Sequence, residues 1–111
     1  MKRYVMGLLA AFCTVPAAAQ QADDSLSDTQ RHGRQILAQS CGVCHLPPSR
    51  NAKPYGPALS RASASGSDEL MRAFITNGSG RMPAFRYTLK PAEIDAVIAY
   101  IRSVPEKGDP R

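Results

Sequence analysis

The stretch Cys41-Gly42-Val43-Cys44-His45 is the feature around which the rest of this chain is organised. It has the form C-x-x-C-H, the signature of covalent haem attachment. Two thiols three positions apart can each add to a vinyl group of haem, and the histidine that follows can bind the iron axially. The motif therefore predicts one covalent haem c held by Cys41 and Cys44, with His45 as the first axial iron ligand.

Three other interpretations of these five residues are weaker. A thioredoxin-like redox motif needs a βαβ context, and the sequence shows no convincing strand pattern. A zinc site needs about four ligands, and only the distant His32, predicted to be a surface helix residue, could complete one. A disulfide between Cys41 and Cys44 can form after export, but it leaves His45 without a role.

The N-terminal segment has the form of a secretory signal peptide. Lys2-Arg3 supplies the positive start, residues 5–15 are mostly apolar, and Ala17–Ala19 provides an A-x-A cleavage site. The apolar run is too short to predict a membrane span. We therefore predict that residues 1–19 are a cleaved signal peptide, that residues 20–111 form the mature domain, and that this domain resides in the periplasm without stable membrane insertion.

The mature chain is small and lacks a disulfide framework. Cys13 lies within the signal peptide, and Phe12 precedes it where a lipoprotein anchor needs a small residue, so Cys13 is assigned to the cleaved segment. Only Cys41 and Cys44 then remain in 92 residues. A domain of this size usually needs a metal or another cofactor to stabilise its core, which is a second reason to expect a buried haem.

Three stretches have the pattern of helices, at 27–39, 67–78 and 90–104. The first begins at a capping box formed by Ser27 and Gln30. The second has acids in its first turn, and the third has a proline there. Because no stretch has the pattern of a strand, the sequence predicts an all-α fold with three to four short helices.

Apolar residues predict the buried faces of the last two helices. In the last helix four of them recur at i, i+3, i+4 and i+7, which is one helical face. In the preceding helix a shorter apolar face is predicted, and Met71 is predicted to be core. The residues of the two faces are Ile94, Val97, Ile98 and Ile101 in the last helix and Leu70, Phe74 and Ile75 in the preceding one.

Two loops are predicted to complete the site. Residues 46–57 contain four prolines, which excludes a long helix or a central strand. The Pro57 carbonyl is a candidate acceptor for the Nδ1 proton of an iron-bound His45, and a plain turn proline fits the sequence equally well. The glycine-rich segment 78–85 holds Met82. Because a thioether is a soft donor for haem iron, Met82 is predicted to be the second axial ligand.

Positive charge is concentrated in the middle of the chain. Residues 50–90 have a net charge of +5, whereas residues 20–49 and 91–111 each have a net charge of −1. A basic chain can bind nucleic acid, but an exported haem protein would seldom meet it. We therefore predict no nucleic-acid binding, and docking to redox donor and acceptor proteins with acidic surfaces. The candidate docking cations are Arg81, Arg86 and Lys90.

The order of these features resembles that of the class I c-type cytochromes, in the small monohaem form of bacterial periplasms. The resemblance covers essentially the whole mature chain. Gly33 lies eight residues before Cys41, residues 56–59 match the G-P-x-L segment, and residues 80–83 match the loop that carries the distal methionine. The resemblance implies a cytochrome c-like fold wrapped around one haem, with the first and last helices crossing closely at Gly33 near Val97–Ile101 and Tyr100.

The resemblance also implies roles for residues near the haem. The Pro57 carbonyl is expected to accept a hydrogen bond from the imidazole of His45, and Leu59 is expected to pack on the haem. The chain departs from the family pattern in having no tryptophan, so contacts to the haem propionates must come from other groups. The unranked candidates for these contacts are Arg50, Tyr55, Arg61 and Tyr87.

Ligation of the iron by a histidine and a methionine leaves no position for a substrate, which favours a one-electron carrier over an enzyme. Two alternatives remain open. The chain can be a tightly bound cytochrome subunit of a periplasmic dehydrogenase complex, with the same haem chemistry and a permanent partner. It can also be a gas sensor or a weak peroxidase in which Met82 is absent from the iron or easily displaced.

Overall fold

The computed structural model describes residues 25–107. The predicted signal peptide and its cleavage site lie outside this range. The first helical unit starts with helix α1, Asp28–Ile36, continues through a π-helical segment, Leu37–Cys41, and ends with the short helix α2, Gly42–His45. This unit is longer than predicted, because the π-helical segment carries the chain past Gln39 and into the C-x-x-C-H motif. Single π-helical turns of this kind occur frequently at functional sites.

Two further helices complete the fold. Helix α3 comprises Asp68–Asn77 and helix α4 comprises Pro91–Ser103. Short helical turns lie at Ser63–Gly66 and Phe85–Tyr87. No strand is formed within residues 25–107, so the prediction of an all-α fold is confirmed. None of the helices in that range combines the length and the apolar character needed to cross a bilayer.

The predicted helix starts are confirmed by their caps. The Oγ of Ser27 accepts from the amide of Gln30, and the Gln30 side chain accepts from the amide of Ser27. At α3 the Oγ of Ser67 accepts from the amide of Leu70 at 3.1 Å. Such N-caps typically stabilise a helix by about 1 kcal/mol. The start of α4 has Pro91 in its first turn, where the absent amide proton costs no hydrogen bond.

Helices α1 and α4 cross at a point where only glycine fits. A Cβ atom added to Gly33 would lie 1.9 Å from the carbonyl oxygen of Ala96 and 2.9 Å from the amide nitrogen of Val97. The close crossing expected at Gly33 is therefore confirmed, at the N-terminal end of the Val97–Ile101 region. Tyr100 is half-buried and packs against the same core.

The core is formed mainly by α4. The predicted face of that helix is confirmed, since Ile94, Val97, Ile98 and Ile101 are each at most 3% exposed. Burying a side chain of this size stabilises the fold by roughly 1.5–3 kcal/mol. From the first helical unit Ile36 and Leu37 join this core.

The predicted face of α3 is only partly right. Met71 and Ile75 are each 4% exposed, as expected for core residues, but Leu70 and Phe74 each keep 39% of their surface exposed. Residues one helical turn apart share a face, and the face that packs onto α4 is the one that carries Met71 and Ile75. Phe74 lies on the wall of the cavity described below, which Met71 and Ile75 also line.

Residues 64–66 form a left-handed turn, with φ of 56° at Ala64 and 52° at Ser65. An L-residue in this region costs roughly 1–2 kcal/mol. Arg102 of α4 holds the turn in place, because its Nη1 donates to the carbonyl of Ser63 at 2.9 Å and its Nε donates to Asp68 Oδ1 at 2.6 Å. Helix α4 thus fixes a strained loop whose residues Ser63 and Ala64 line the cavity described below.

Candidate haem-binding site

The C-x-x-C-H motif lies where the π-helical segment passes into α2. Cys41 is 7% exposed and Cys44 is half-buried, and both are free thiols. Burial, and to a smaller extent the neighbouring Cys44, raises the pKa of the Cys41 thiol above its ordinary value. Two thiols are thus available side by side on one helical turn, which is the arrangement that two thioether bonds to a single ring require.

His45 is oriented by the proline-rich loop. Its Nδ1 lies 2.7 Å from the carbonyl oxygen of Pro57. A carbonyl can only accept, so Nδ1 must carry the proton and donate it, which leaves Nε2 as the nitrogen available to a metal. Gly56 brings the loop close, since its amide donates to the carbonyl of Cys44 at 2.6 Å and an added Cβ would lie 3.1 Å from Cε1 of His45.

Met82 is presented by a tight turn. The amide of Ser79 donates to the carbonyl of Met82 at 3.1 Å, and the amide of Met82 donates back to Ser79 at 2.9 Å. Gly80, the first central residue of this two-residue turn, has φ of +57°. Gly78 precedes the turn with φ of +77°, and an added Cβ there would lie 2.5 Å from the carbonyl oxygen of Met82. The backbone at Met82 is therefore closely constrained.

These segments enclose a cavity of about 550 Å³. A volume of that size is within the range of small-molecule sites, roughly 300–1,000 Å³. The structure brings all six predicted site residues to its wall, namely Cys41, Cys44, His45, Pro57, Leu59 and Met82. The apolar part of the wall is supplied by Met71, Phe74, Ile75, Phe85, Val97 and Ile101.

The donor set on this wall fits a covalently attached haem. Two free thiols suit two thioether bonds, and an imidazole with an available Nε2 and a thioether suit the two axial positions of the iron. The apolar wall suits the macrocycle. Residues 25–107 contain no group of three or more His, Cys, Asp and Glu that could hold a bare metal ion. The zinc interpretation therefore has no site in that range.

One charged side chain lines the cavity among the described residues, and it is Arg81. Its Nη1 donates to the hydroxyl of Tyr55 at 2.5 Å, and its guanidinium lies 5.8 Å from the centre of the Tyr55 ring. Of the four candidates for propionate contacts, Tyr55 lines the cavity and the other three do not. Sequence reasoning placed Arg81 only on the docking surface, although its position next to Met82 already pointed to the site.

The predicted docking cations Arg81, Arg86 and Lys90 are all exposed. Arg86 donates from Nη1 to Oδ1 of Asn77 at 2.7 Å.

Val43, between the two cysteines, lines the cavity and is 88% exposed, so the cavity reaches the surface beside the motif. His32 is exposed on α1, as predicted.

Comparison with known proteins gives matches over most of the described chain. The family model for "Cytochrome C oxidase, cbb3-type, subunit III" matches residues 28–101. Cytochrome c6 of Synechocystis sp. is 34% identical over 69% of this chain and 67% of its own length. Cytochrome c6 of Leptolyngbya boryana is 30% identical over 68% of this chain and 93% of its own length.

A larger relative matches as well. The cytochrome bc1 complex cytochrome c subunit of Mycobacterium bovis is 29% identical over 89% of this chain. The match spans only 36% of that subunit's own length, so it relates this chain to one part of a longer protein.

Proposed function

Because this chain belongs to the cytochrome c family, and is an electron carrier related to cytochrome c6, we propose that it transfers single electrons through one covalent haem ligated by His45 and Met82. Cys41 and Cys44 hold the haem. The observation that carries this proposal is the contact between Nδ1 of His45 and the carbonyl of Pro57, in a cavity that Met82 also lines.

Pro57 orients His45 and adjusts its basicity. The carbonyl accepts the Nδ1 proton, fixes the tautomer that leaves Nε2 unprotonated, and makes the imidazole a stronger donor to a metal. The proline ring fixes φ and so reduces the freedom of the backbone that carries this carbonyl. The expected role of Pro57 is thus supported by the 2.7 Å separation, and that of Leu59 by its place on the cavity wall.

Met82 would supply the second protein ligand to the haem iron. When bound, haem supplies an iron that alternates between the ferric and ferrous states, and thioether ligation favours the ferrous one. The two hydrogen bonds of the Ser79–Met82 turn hold the Met82 backbone in one position. Both axial positions are then occupied by protein side chains, and no position is left for a substrate.

Electron transfer partners reach the site at the surface beside Val43. The exposed cations Arg81, Arg86 and Lys90 orient a partner protein with an acidic surface through a small, transient interface. We place this activity in the periplasm, with residues 1–19 as the cleaved signal peptide and residues 20–111 as the cytochrome domain.

A permanent subunit of a larger oxidoreductase is the second candidate function. Two comparisons favour it, since the matched family model is named for an oxidase subunit and one relative is named as a subunit of the bc1 complex. A periplasmic dehydrogenase is the other type of complex in which this chain could be a permanent cytochrome subunit. Purification from native membranes and periplasm separates these candidates, because a free carrier elutes alone and a subunit elutes with its complex.

The test of the carrier proposal is the visible spectrum of the reduced protein with and without carbon monoxide, after expression with haem-maturation machinery. We expect a c-type spectrum that carbon monoxide leaves unchanged, because both axial positions are filled. A prompt shift would mean an open or labile site and would favour the gas sensor or peroxidase alternative. Absence of covalent haem would refute the proposal.

Substitution of the two methionines in residues 25–107 identifies the distal ligand. Met82→Ala should convert the protein to a form that binds carbon monoxide within the mixing time. Met71→Ala removes the same kind of side chain from the core and from the apolar cavity wall. It should lower the free energy of unfolding by about 2–5 kcal/mol without making the iron bind carbon monoxide. If Met82→Ala leaves the spectrum unchanged, the distal assignment is wrong.

A further inference from the structure

Arg81 and Tyr55 join two loops that are 26 residues apart in sequence. Tyr55 belongs to the proline-rich loop and Arg81 to the turn that presents Met82. Their contact has two parts, a hydrogen bond of 2.5 Å between Nη1 and the phenol oxygen and a guanidinium positioned 5.8 Å from the ring centre. The pair is therefore held by both the polar and the aromatic part of the tyrosine.

The position of this pair links the two sides of the site. Tyr55 stands two residues before Pro57, whose carbonyl contacts His45, and Arg81 directly precedes Met82. Both members of the pair line the cavity. The turn that carries Met82 is otherwise closed by its own backbone hydrogen bonds to Ser79, which fix its shape but do not attach it to the proline-rich loop.

We propose that the Tyr55–Arg81 pair is a clasp that holds the Met82 turn against the proline-rich loop and so slows the replacement of Met82 by an external ligand. This inference rests on the proposed ligation of the haem iron by His45 and Met82. Both are positioning residues, which act through the loop and not on the iron. Removal of Met82 from its place requires the turn to move outward, and the clasp is the cross-loop contact that such a movement would break.

The expected effect is modest, because both side chains are exposed. Tyr55 is 67% exposed, and contacts of this kind at exposed sites are weak. Loss of the clasp should therefore speed ligand exchange by roughly two- to fivefold.

The experiment measures the rate at which imidazole binds the oxidised holoprotein at saturating concentration, where departure of Met82 limits the rate. Imidazole is chosen because it is uncharged above neutral pH, so loss of the arginine charge does not alter its attraction to the site. Tyr55→Phe removes the hydroxyl and keeps the ring, and Arg81→Gln removes the guanidinium. Each single variant should raise the saturating rate roughly two- to fivefold. The saturating rate of the double variant should be close to that of either single variant.

The matched control is Arg86→Gln. Arg86 forms a similar pair with Tyr87, with its guanidinium 4.9 Å from the ring centre, but neither residue lines the cavity. This variant removes the same charge and the hydrogen bond to Asn77, and it should leave the imidazole rate unchanged because neither contact joins the Met82 turn to the proline-rich loop. All variants should keep the wild-type denaturation midpoint. An unchanged midpoint shows that a faster imidazole rate comes from the turn and not from lower stability of the whole fold.

Three results would overturn the clasp. The first is that both single variants bind imidazole at the wild-type rate. The second is that Arg81→Gln raises the rate and Tyr55→Phe does not. The third is that the rate increase in the double variant equals the product of the two single increases. A wild-type protein that binds imidazole with no limiting rate would overturn both the clasp and the proposed ligation. Failure of the clasp alone is recognised by slow wild-type binding together with unaffected variants.

Discussion

The helical frame, α1 and α4, and the loop layer, residues 46–67 and 78–90, are held in different ways. The frame is fixed by direct contact of buried surfaces, with Gly33 against the Ala96 backbone and the apolar face of α4 almost fully covered. In the loop layer, one or two hydrogen bonds hold each important position, such as the bond that the Pro57 carbonyl accepts from Nδ1 of His45.

The difference separates stability from ligation. Buried contacts in the frame contribute most of the free energy of folding, whereas the loop contacts contribute little energy but place particular atoms on the cavity wall. We therefore expect substitutions in the frame to change the unfolding midpoint, and substitutions in the loop layer to change the haem environment.

The largest effect is expected at Gly33. Gly33→Ala places a methyl group 1.9 Å from the carbonyl oxygen of Ala96, so the two helices must separate and the free energy of unfolding should fall by about 3 kcal/mol or more. Denaturant unfolding of the holoprotein measures this change. The matched control is Gly42→Ala, whose added Cβ meets the flexible end of Leu46 at 3.2 Å. If both variants are equally stable, the crossing does not hold the frame together.

An intermediate effect is expected at Arg102, which joins the frame to the loop layer. Arg102→Met removes the hydrogen bonds to the Ser63 carbonyl and to Asp68, and should lower the free energy of unfolding by about 2 kcal/mol. In the control, Arg72→Met breaks an exposed ion pair with Asp95, which should cost less than about 1 kcal/mol. If the two variants lower the free energy of unfolding equally, Arg102 does not hold the frame to the loop layer.

In the turn before Met82 the main effect is expected on ligation of the iron, with a smaller effect on stability than at Gly33. Gly78→Ala combines a φ of +77° with an added Cβ 2.5 Å from the Met82 carbonyl oxygen. Because φ of 77° and ψ of 170° form a region that essentially only glycine occupies, the substitution should cost about 1–3 kcal/mol and make the reduced protein bind carbon monoxide. Gly80→Ala is the control, because its Cβ meets nothing within 4 Å. If neither variant binds carbon monoxide, Met82 remains bound to the iron even when the turn moves.

The sequence by itself determined the three main helices and six of the residues that line the cavity. Capping at Ser27 and the apolar spacing of α4 depend on residues within one or two turns of each other, so both could be derived from local patterns. The C-x-x-C-H motif is local for the same reason. The choice of Met82 over Met71 followed from its loop context, and the burial of Met71 agrees with its predicted place in the core.

Only the tertiary structure decided how distant segments meet. The face of α3 was predicted partly wrongly. Met71 and Ile75 are buried as predicted, but Leu70 and Phe74 stay partly exposed, because local patterns did not show which face of α3 would be covered. The left-handed turn at Ala64 had no sequence signal, since the side chain that contacts it belongs to Arg102, which lies 39 positions beyond Ser63. Contacts over such separations depend on how the helices pack, and local propensity contains no information about that packing.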